Sequence, residues 1–335
     1  MKLLYAIQGT GNGHLGRAME IAPFLVDMAE VDFLISGTSR ELDFPYPFQY
    51  KYHGLSFYFG SRGGVDYLKS FGNLKLFRLW EDIKTCPVEQ YDCIVNDFEP
   101  VSAWAAQRKK VPVVAVSHQA SFFSDKVPLP KKRNKFFEYG MKNWVAPADG
   151  YVGLHYKAYD DHVLPPIIRQ ELVGGTITNL GHITVYLPSF ADDTLIKYFN
   201  QVPNSSWQVF SKKTDKNYSE GNVLVHRIDK AEYSKSLLSC QGLLTGGGFQ
   251  ATSEALYLGK KLMAIPMFDQ YEQKCNAAAL KELGVKIISG IDRNFNVHAI
   301  EWLTTEAPTS ARYYEPSTKD VAHKIVEIAT ELIKK

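Results

Sequence analysis

Continuous apolar runs alternate with amphipathic helical patterns along the first half of the chain. Strands are predicted at residues 3–7, 31–35, 91–95, 111–116 and 151–154, and helices at residues 14–28 and 101–108. Strands that are apolar at successive positions are typical of a parallel sheet, because helices cover both of its faces. The pattern therefore predicts a doubly wound α/β domain.

The second half of the chain repeats the same rhythm. Strands are predicted at residues 183–187, 207–210, 223–227, 242–244 and 261–267, and helices at residues 192–199, 231–239 and 318–333. Between the halves, residues 160–182 contain prolines and glycines without a regular period, which is typical of a connector. We therefore predict two similar α/β domains, residues 1–175 and 176–335.

Composition and charge narrow the class of protein. The 335 residues are 45% hydrophobic, which supports two ordered domains, and the net charge of +2 is too small to indicate nucleic-acid binding. The first apolar run has only five residues, too few for a signal peptide, and no segment has the length of a membrane span. The cysteines have neither zinc nor disulfide spacing, which suits a reducing cytoplasm. They are Cys86, Cys93, Cys240 and Cys275.

Two segments combine basic and aromatic residues. Residues 126–142 carry an excess of lysine and arginine beside phenylalanine and tyrosine, and residues 68–80 mix the same types. Such segments could rest on the anionic inner face of a membrane. The alternative is a solvated basic face whose aromatic side chains belong to the core. The sequence leaves both open.

A glycine-rich turn in the second half has the composition of an anion site. Gly246, Gly247 and Gly248 follow the apolar run at residues 242–244 and lead into a helical pattern at Phe249 and Gln250. Their backbone N–H groups and the positive end of the helix can together face a diphosphate. The alternative for the glycines alone is an ordinary structural turn.

Polar residues follow this turn in an order that fits a nucleotide-linked sugar. Glu254 lies about five residues into the helix, roughly 7 Å along its axis, where a carboxylate can accept both hydroxyls of a ribose. Asp269 and Gln270 follow the strand at residues 261–267, and ligands of open α/β sheets bind at the carboxyl ends of strands. We therefore expect Asp269 and Gln270 to contact sugar hydroxyls.

The first glycine-rich loop matches a different motif. Residues 11–16, Gly-Asn-Gly-His-Leu-Gly, have the spacing of a dinucleotide-binding fingerprint between a strand and a helix. A dehydrogenase of this kind needs an acidic residue at the end of its second strand, to bind a ribose hydroxyl. Here Glu30 and Asp32 lie at the beginning of that strand. The sequence therefore disfavours an NAD-dependent enzyme.

His14 stands at the start of the first helix, beside glycines that let a bulky ligand approach the backbone. The positive end of a helix disfavours imidazolium, so a neutral His14 could accept a proton as a general base. Asp97 is the candidate partner, although Glu99 is close enough in sequence to compete, and capping roles are the alternatives for His14 and Asp97. Arg17 could contact phosphate or lie on the surface. His118, at the end of another strand, could line an acceptor pocket or be structural.

Three segments resemble the GT-B glycosyltransferases, specifically the family 28/1-like group with the UDP-GlcNAc transferase of peptidoglycan synthesis and the UDP-glucuronosyl and plant UDP-glucosyl transferases. Residues 11–14 resemble the first loop of these enzymes, whose histidine is the general base or lies at the acceptor site. Residues 95–98 are similar to the segment that supplies the dyad aspartate of the plant enzymes. Residues 245–278 resemble the donor signature, through Glu254, Gly259, Pro266, Asp269, Gln270, Asn276 and Ala277.

The resemblance implies two Rossmann-like domains that face each other across a cleft, with a C-terminal helix that crosses back to the first domain. It also implies that Arg227 and Ile228 contact the nucleotide base, and that the loop with Ser189 contacts the phosphates, although this loop lacks the family's glycine-rich sequence. Residue 262 is leucine, so no Glu-x7-Glu pair begins at Glu254, which favours the inverting families. The implied acceptor-side residues of the first loop are Gly11, Asn12 and Gly13.

The combined prediction is an inverting, metal-independent transfer of a hexose from a UDP-sugar to a hydroxyl acceptor, which could be lipid-linked or part of an envelope glycan. His14 would take the hydroxyl proton, Asp97 would orient His14, and the glycine-rich turn would stabilise the departing diphosphate with no cofactor beyond the donor. A UDP-GlcNAc 2-epimerase and a non-catalytic nucleotide-sugar-binding protein are the alternatives. The acceptor, the sugar and the choice among UDP, dTDP and GDP stay open.

Overall fold

A computed structural model describes most of the chain. The described residues are 1–10, 12–37, 44–54, 76–131, 133–267, 269–305, 315 and 317–335. They form two seven-stranded sheets, each covered by helices. The predicted fold class, two doubly wound α/β domains, is confirmed.

The first sheet is entirely parallel, with the strand order β3-β2-β1-β4-β5-β6-β7. Its strands are β1 Lys2–Gln8, β2 Glu30–Ser36, β3 Phe48–Tyr52, β4 Cys93–Asp97, β5 Val113–Ser117, β6 Gly150–Leu154 and β7 Val163–Leu164. Its helices are α1 Asn12–Met28, α2 Leu76–Thr85, α3 Pro100–Lys109 and α4 Lys135–Gly140, with 3₁₀ turns at Val88–Gln90 and Gln119–Phe123 and a π-helical turn at Met141–Val145. The order reverses between β1 and β4, which opens a crevice at their carboxyl ends.

The second sheet has the strand order β10-β11-β9-β8-β12-β13-β14, with β10 as the antiparallel strand. Its strands are β8 Ile183–Tyr186, β9 Trp207–Ser211, β10 Tyr218–Glu220, β11 Val223–Arg227, β12 Gly242–Thr245, β13 Lys261–Ala264 and β14 Lys286–Ile287. The remaining helices are α5 Gln170–Val173, α6 Asp192–Phe199, α7 Lys230–Ser239, α8 Phe249–Tyr257, α9 Tyr271–Glu282, α10 Phe295–Thr304 and α11 Thr318–Ile333. Here the order reverses between β8 and β12, which creates a second crevice.

β1 shows why its sequence is apolar at successive positions. Leu3, Tyr5 and Ile7 pack into one buried cluster with α1 and α11, whereas Leu4 and Ala6 pack into another with α2 and α3. Both faces of the strand are therefore covered, as the absence of alternation in its sequence predicts.

Several boundaries differ from the predicted ones. β4 begins at Cys93 rather than Tyr91, because Tyr91 closes a 3₁₀ turn, so Asp97 becomes the last residue of the strand. β13 ends at Ala264, before Pro266, which has no N–H for a ladder. The predicted connector, residues 160–182, also contains β7 and α5.

The C-terminal helix α11 packs on the first sheet, not on the second. It contacts α1, β5 and β6, and its buried residues include Ile325 and Ile328. A Cβ added at Gly150 of β6 would come within 2.6 Å of Ile328, so glycine permits this close approach. The crossing-back of this helix is confirmed. Within the described ranges, no helix combines the length and the apolar composition needed to cross a bilayer.

Candidate active site

His14 and Asp97 meet at the crevice of the first sheet. β1 leads through a short loop into the first turn of α1, which carries His14, and β4 ends at Asp97. His14 Nδ1 lies 2.7 Å from Oδ1 of Asp97. The Asp97 side chain is fully buried and that of His14 is 15% exposed. The two residues that were expected to form a dyad are therefore in direct contact.

Arg17 binds the same aspartate from one turn further along α1. Its Nε donates to Oδ2 of Asp97 at 2.9 Å and its Nη2 donates to Oδ1 at 2.5 Å. Burial alone would raise the pKa of Asp97, but the charges of Arg17 and His14 outweigh it and hold this pKa below its ordinary value. Arg17 is itself buried, so the alternative of a surface position is wrong.

Glu99 has a different role from Asp97. Its carboxylate caps α3 by accepting hydrogen bonds from the backbone N–H groups of Val101 and Ser102. It also accepts a hydrogen bond from the hydroxyl of Ser36. Between the two acids, Phe98 has a φ of 57°, a strained conformation for a bulky residue, and its ring stacks over His14. The competition between Asp97 and Glu99 is thus settled by their geometry: Asp97 contacts His14 and Glu99 is the cap.

The glycine-rich turn lies across from this dyad, at the crevice of the second sheet. Gly246, Gly247 and Gly248 connect β12 to α8, and among the described residues no side chain caps the start of α8. Gly247 has a φ of +80°, which favours glycine. The amide of Asn276 on α9 donates to the Gly247 carbonyl at 3.1 Å and so fixes the turn. The backbone N–H groups at the start of α8, which begins with Phe249 and Gln250, are available to an anion.

Glu254 lies on α8 as expected, but its carboxylate already has partners. Arg169 donates to both of its oxygens, from Nε at 2.7 Å and from Nη2 at 2.8 Å, and Gln250 donates to Oε1 at 2.8 Å. The other side of the Arg169 guanidinium contacts Glu171 and Ser234. A ribose could therefore use only the remaining acceptor capacity of Oε2, unless one of these partners moves.

Arg169 was not identified from the sequence. It is a single arginine in the connector, directly after the buried residues Ile167 and Ile168, and no motif marks it. Only the packing of the connector against α8 reveals its role.

The other predicted donor residues occupy loops at the same edge of the second sheet. Asp269 is exposed and Gln270 is half-buried, and they precede α9. Ser189 is half-buried in the loop after β8, the strand next to β12. Arg227 ends β11 and Ile228 follows it, with its side chain 44% exposed. These residues surround the crevice, and their contacts with a donor stay predictions.

His118 joins the two domains. Its ring stacks on Phe249 with centroids 3.8 Å apart, Nδ1 lies 2.8 Å from the carbonyl of Leu154, and Nε2 lies 2.6 Å from Oδ1 of Asn276. Burial lowers the pKa of His118 below its ordinary value. These contacts favour the structural alternative for His118 over direct acceptor binding.

Helix α9 of the second domain contacts the first domain through two side-chain hydrogen bonds. Gln119 donates to Glu272 at 3.0 Å, and the Tyr271 hydroxyl donates to Glu138. Glu272 is also close enough to Arg17 to contribute to the raised pKa of that guanidinium, which burial alone would lower. These contacts place α9 of the second domain beside the crevice of the first.

The structure describes two of the three first-loop residues that were predicted on the acceptor side. Gly11 lies outside the described residues, Asn12 is described only as the first residue of α1, and Gly13 is exposed. Among the residues that the structure covers, no group of histidine, cysteine and acidic side chains is arranged to hold a metal ion.

Comparisons with known proteins agree with the fold described above. The family model described as Glycosyl transferase family 1 matches residues 1–304. No curated protein is significantly similar in sequence. MurG from Acinetobacter baumannii has a similar structure, with a TM-score of 0.60 and 15% identity over 97% of this chain and 99% of that one. UGT89C1 from Arabidopsis thaliana in complex with UDP has a TM-score of 0.58 and 14% identity, over 100% and 95% of the chains. The glycotransferase of kitacinnamycin has a TM-score of 0.59 and 13% identity, over 99% and 95%.

Proposed function

The chain belongs to glycosyl transferase family 1, and on that premise we propose that it moves a hexose from a UDP-sugar to a hydroxyl acceptor, with inversion and without a metal ion. One observation carries the proposal: a His14–Asp97 contact of 2.7 Å stands at the crevice of one sheet, opposite a glycine-rich turn and an uncapped helix start at the crevice of the other. That combination supplies a base for an acceptor and an anion site for a leaving group.

The chemistry assigns one task to each side of the cleft. Nε2 of His14 takes the proton of the acceptor hydroxyl while the hydroxyl oxygen attacks the anomeric carbon of the sugar. The bond from that carbon to the diphosphate breaks, and UDP leaves with the electron pair. Backbone N–H groups at the start of α8 stabilise its charge, so no metal ion is required. Asp97 stabilises the imidazolium that forms.

The donor would lie along the carboxyl ends of β8, β12 and β13. The diphosphate would contact Gly246 to Gly248 and Ser189, the ribose would approach Glu254 beside Arg169, and the base would lie near Arg227 and Ile228. UDP as the nucleotide is supported by the Arabidopsis relative, whose structures contain UDP and UDP-L-rhamnose. Asp269 and Gln270 would contact the sugar hydroxyls.

Acceptor-dependent release of UDP is the direct test. The protein is incubated with a panel of UDP-, dTDP- and GDP-sugars, with and without hydroxyl acceptors, and the products are followed by mass spectrometry and by a coupled assay for the nucleotide. We expect His14→Ala to lower kcat at least about 100-fold, whereas His323→Ala, an exposed residue of α11, retains wild-type rates. The anomeric coupling constant of the product reports inversion, and activity in EDTA reports metal independence.

Other outcomes would contradict the proposal. A sugar nucleotide converted to an isomer of equal mass, without acceptor and without UDP release, would indicate an epimerase. Binding of a nucleotide sugar without turnover, unchanged by His14→Ala, would indicate a non-catalytic protein.

We further propose that the first domain rests on an anionic membrane, where a lipid-linked acceptor would be presented. The aromatic side chains of Phe77, Trp80, Tyr139 and Trp144 are 77%, 49%, 57% and 50% exposed, so these four do not belong to the core. Trp80 lies under the guanidinium of Arg108, which places cations beside exposed rings. Exposed aromatics beside basic residues are typical of an interfacial anchor. Residues 68–75 of the first basic segment and residue 132 of the second lie outside the described residues.

Vesicle sedimentation tests the membrane proposal separately from catalysis. We expect binding to phosphatidylcholine vesicles only when they contain phosphatidylglycerol, and loss of binding in a Phe77→Ser, Trp80→Ser variant. Val297→Ser, which removes an exposed apolar side chain from α10 of the other domain, serves as the control. Equal binding by the double variant and the wild type would exclude this surface.

A further inference from the structure

Arg17 is placed to control the dyad, although it was expected at the surface or at a phosphate. Its side chain is only 6% exposed and grips both oxygens of Asp97, which is fully buried. A planar guanidinium that binds a carboxylate at two points fixes its orientation as well as its position. Oδ1 of Asp97 is thereby directed at Nδ1 of His14.

The distances around Nδ1 of His14 determine which ring nitrogen carries the proton. Nδ1 is 2.7 Å from Oδ1 of Asp97 and 3.0 Å from Nη2 of Arg17. A carboxylate oxygen can only accept, so the shorter contact requires a proton on Nδ1. Nε2 then carries the ring's free lone pair, which is the tautomer that a base needs.

The guanidinium also acts on the charge of Asp97. The titratable groups near the Arg17–His14–Asp97 cluster include Tyr5 from β1, whose buried hydroxyl has no hydrogen-bond partner among the described residues, Glu272 from α9 and His118 after β5. Arg17 offsets the charge of Asp97, and its Nη2 lies 3.0 Å from the ring. The buried Asp97 carboxylate therefore keeps its charge and stays available to the Nδ1–H of His14.

We propose that Arg17 is a positioning residue for the transfer reaction: it fixes Asp97 against the Nδ1–H of His14, so that Nε2 is the ring nitrogen that can accept a proton. This inference rests on the proposed function, because it assumes that His14 is the base. It adds a third residue to the expected dyad, and it explains why a buried cation stands behind a base. Arg17 contacts neither donor nor acceptor in this role.

The test compares Arg17→Gln, which removes the charge, with Arg17→Lys, which keeps the charge but loses the two-point fork. Arg293→Gln, at an exposed position in the second domain, is the control. We expect kcat to fall about 10- to 100-fold in both Arg17 variants, because the base is misplaced, with KM for the donor unchanged.

A second measurement does not depend on turnover. Nitrogen-15 NMR of histidine-labelled protein, with the His14 signals assigned from His14→Ala, reports the tautomer directly. We expect an Nδ1–H tautomer in the wild type and a mixture in Arg17→Gln. An Nε2–H tautomer in the wild type would overturn the proposal, and so would an unchanged kcat in Arg17→Gln. If instead the wild type shows no transfer while the tautomer is as expected, the proposed function fails and the positional role of Arg17 stands.

Discussion

The ion pair between Arg169 and Glu254 offers the sharpest test of how the connector supports the donor site. The perturbation is Arg169→Met, which keeps an unbranched stem and removes the guanidinium. The side chains of Arg169 and Glu254 are 12% and 2% exposed, so solvent screens this pair little. Removing one partner of such a buried pair costs about 3–5 kcal/mol, mainly because the other charge stays buried without compensation.

This energy translates into a measurable change in melting temperature. A unit of this size loses about 2–4 °C for each kcal/mol, so the transition of the second domain should fall by about 6–20 °C. Glu254→Gln should cost less, because Arg169 retains contacts with Glu171 and Ser234. In the double variant, stability should return to within about 1–2 kcal/mol of the wild type, since no buried charge is left without a partner.

Thermal and urea unfolding of the four proteins, followed by circular dichroism, measure this cycle. Calorimetric titration with UDP adds the functional side: Arg169→Met should weaken UDP binding about tenfold even where the protein is folded, because Glu254 loses its fixed orientation. A loss of stability below about 1 kcal/mol in Arg169→Met would mean that the pair behaves like a surface salt bridge. Additive losses in the double variant would likewise refute the reasoning.

Three further predictions follow from the same contacts. Gly247→Ala should cost about 1–2 kcal/mol in unfolding free energy and weaken UDP binding, because the φ of +80° at this position strains any L residue. The control is Gly248→Ala, which should leave stability unchanged because its φ is −65°. The lowered pKa of Asp97 contributes stability that is present above the unfolded pKa of about 3.9 and is lost as pH falls through the folded value. The difference in unfolding free energy between wild type and Asp97→Asn should therefore shrink below about pH 4. A difference that stays constant with pH would contradict this prediction. Asn276→Ala should cost about 1–3 kcal/mol, because it leaves buried polar groups of His118 and Gly247 without their partner, as urea unfolding would show.

The expectations that proved reliable were those that depend on local pattern. The apolar runs identified β1, β2, β11 and β12 nearly to the residue, because burial on both faces of a parallel sheet leaves a continuous signature. Strands with a weaker signature were missed: β3 alternates half-buried and exposed residues, and β7 and β14 have only two residues each. The shift of β4 by two residues came from a 3₁₀ turn that apolar content alone does not reveal.

The candidate site was also only partly predictable from the sequence. His14 and Asp97 could be paired from sequence, because each lies near the carboxyl end of a predicted strand, and ligands of open α/β sheets bind at that edge. The roles of Asp97 and Glu99 could not be separated, since each is an acidic residue near the start of a helix. Only the hydrogen bonds from Val101 and Ser102 show that Glu99 is the cap.

The sequence by itself determined the fold class, the positions of the two glycine-rich loops and the family, because each depends on residues that are neighbours along the chain. The tertiary structure alone decided which charges are paired. Arg17 meets Asp97 across 80 residues, Arg169 meets Glu254 across 85, and His118 meets Asn276 across 158. Such pairs form because a buried charge or polar group must find a partner wherever the packing of helices and sheets brings one within reach, and no local pattern records that choice.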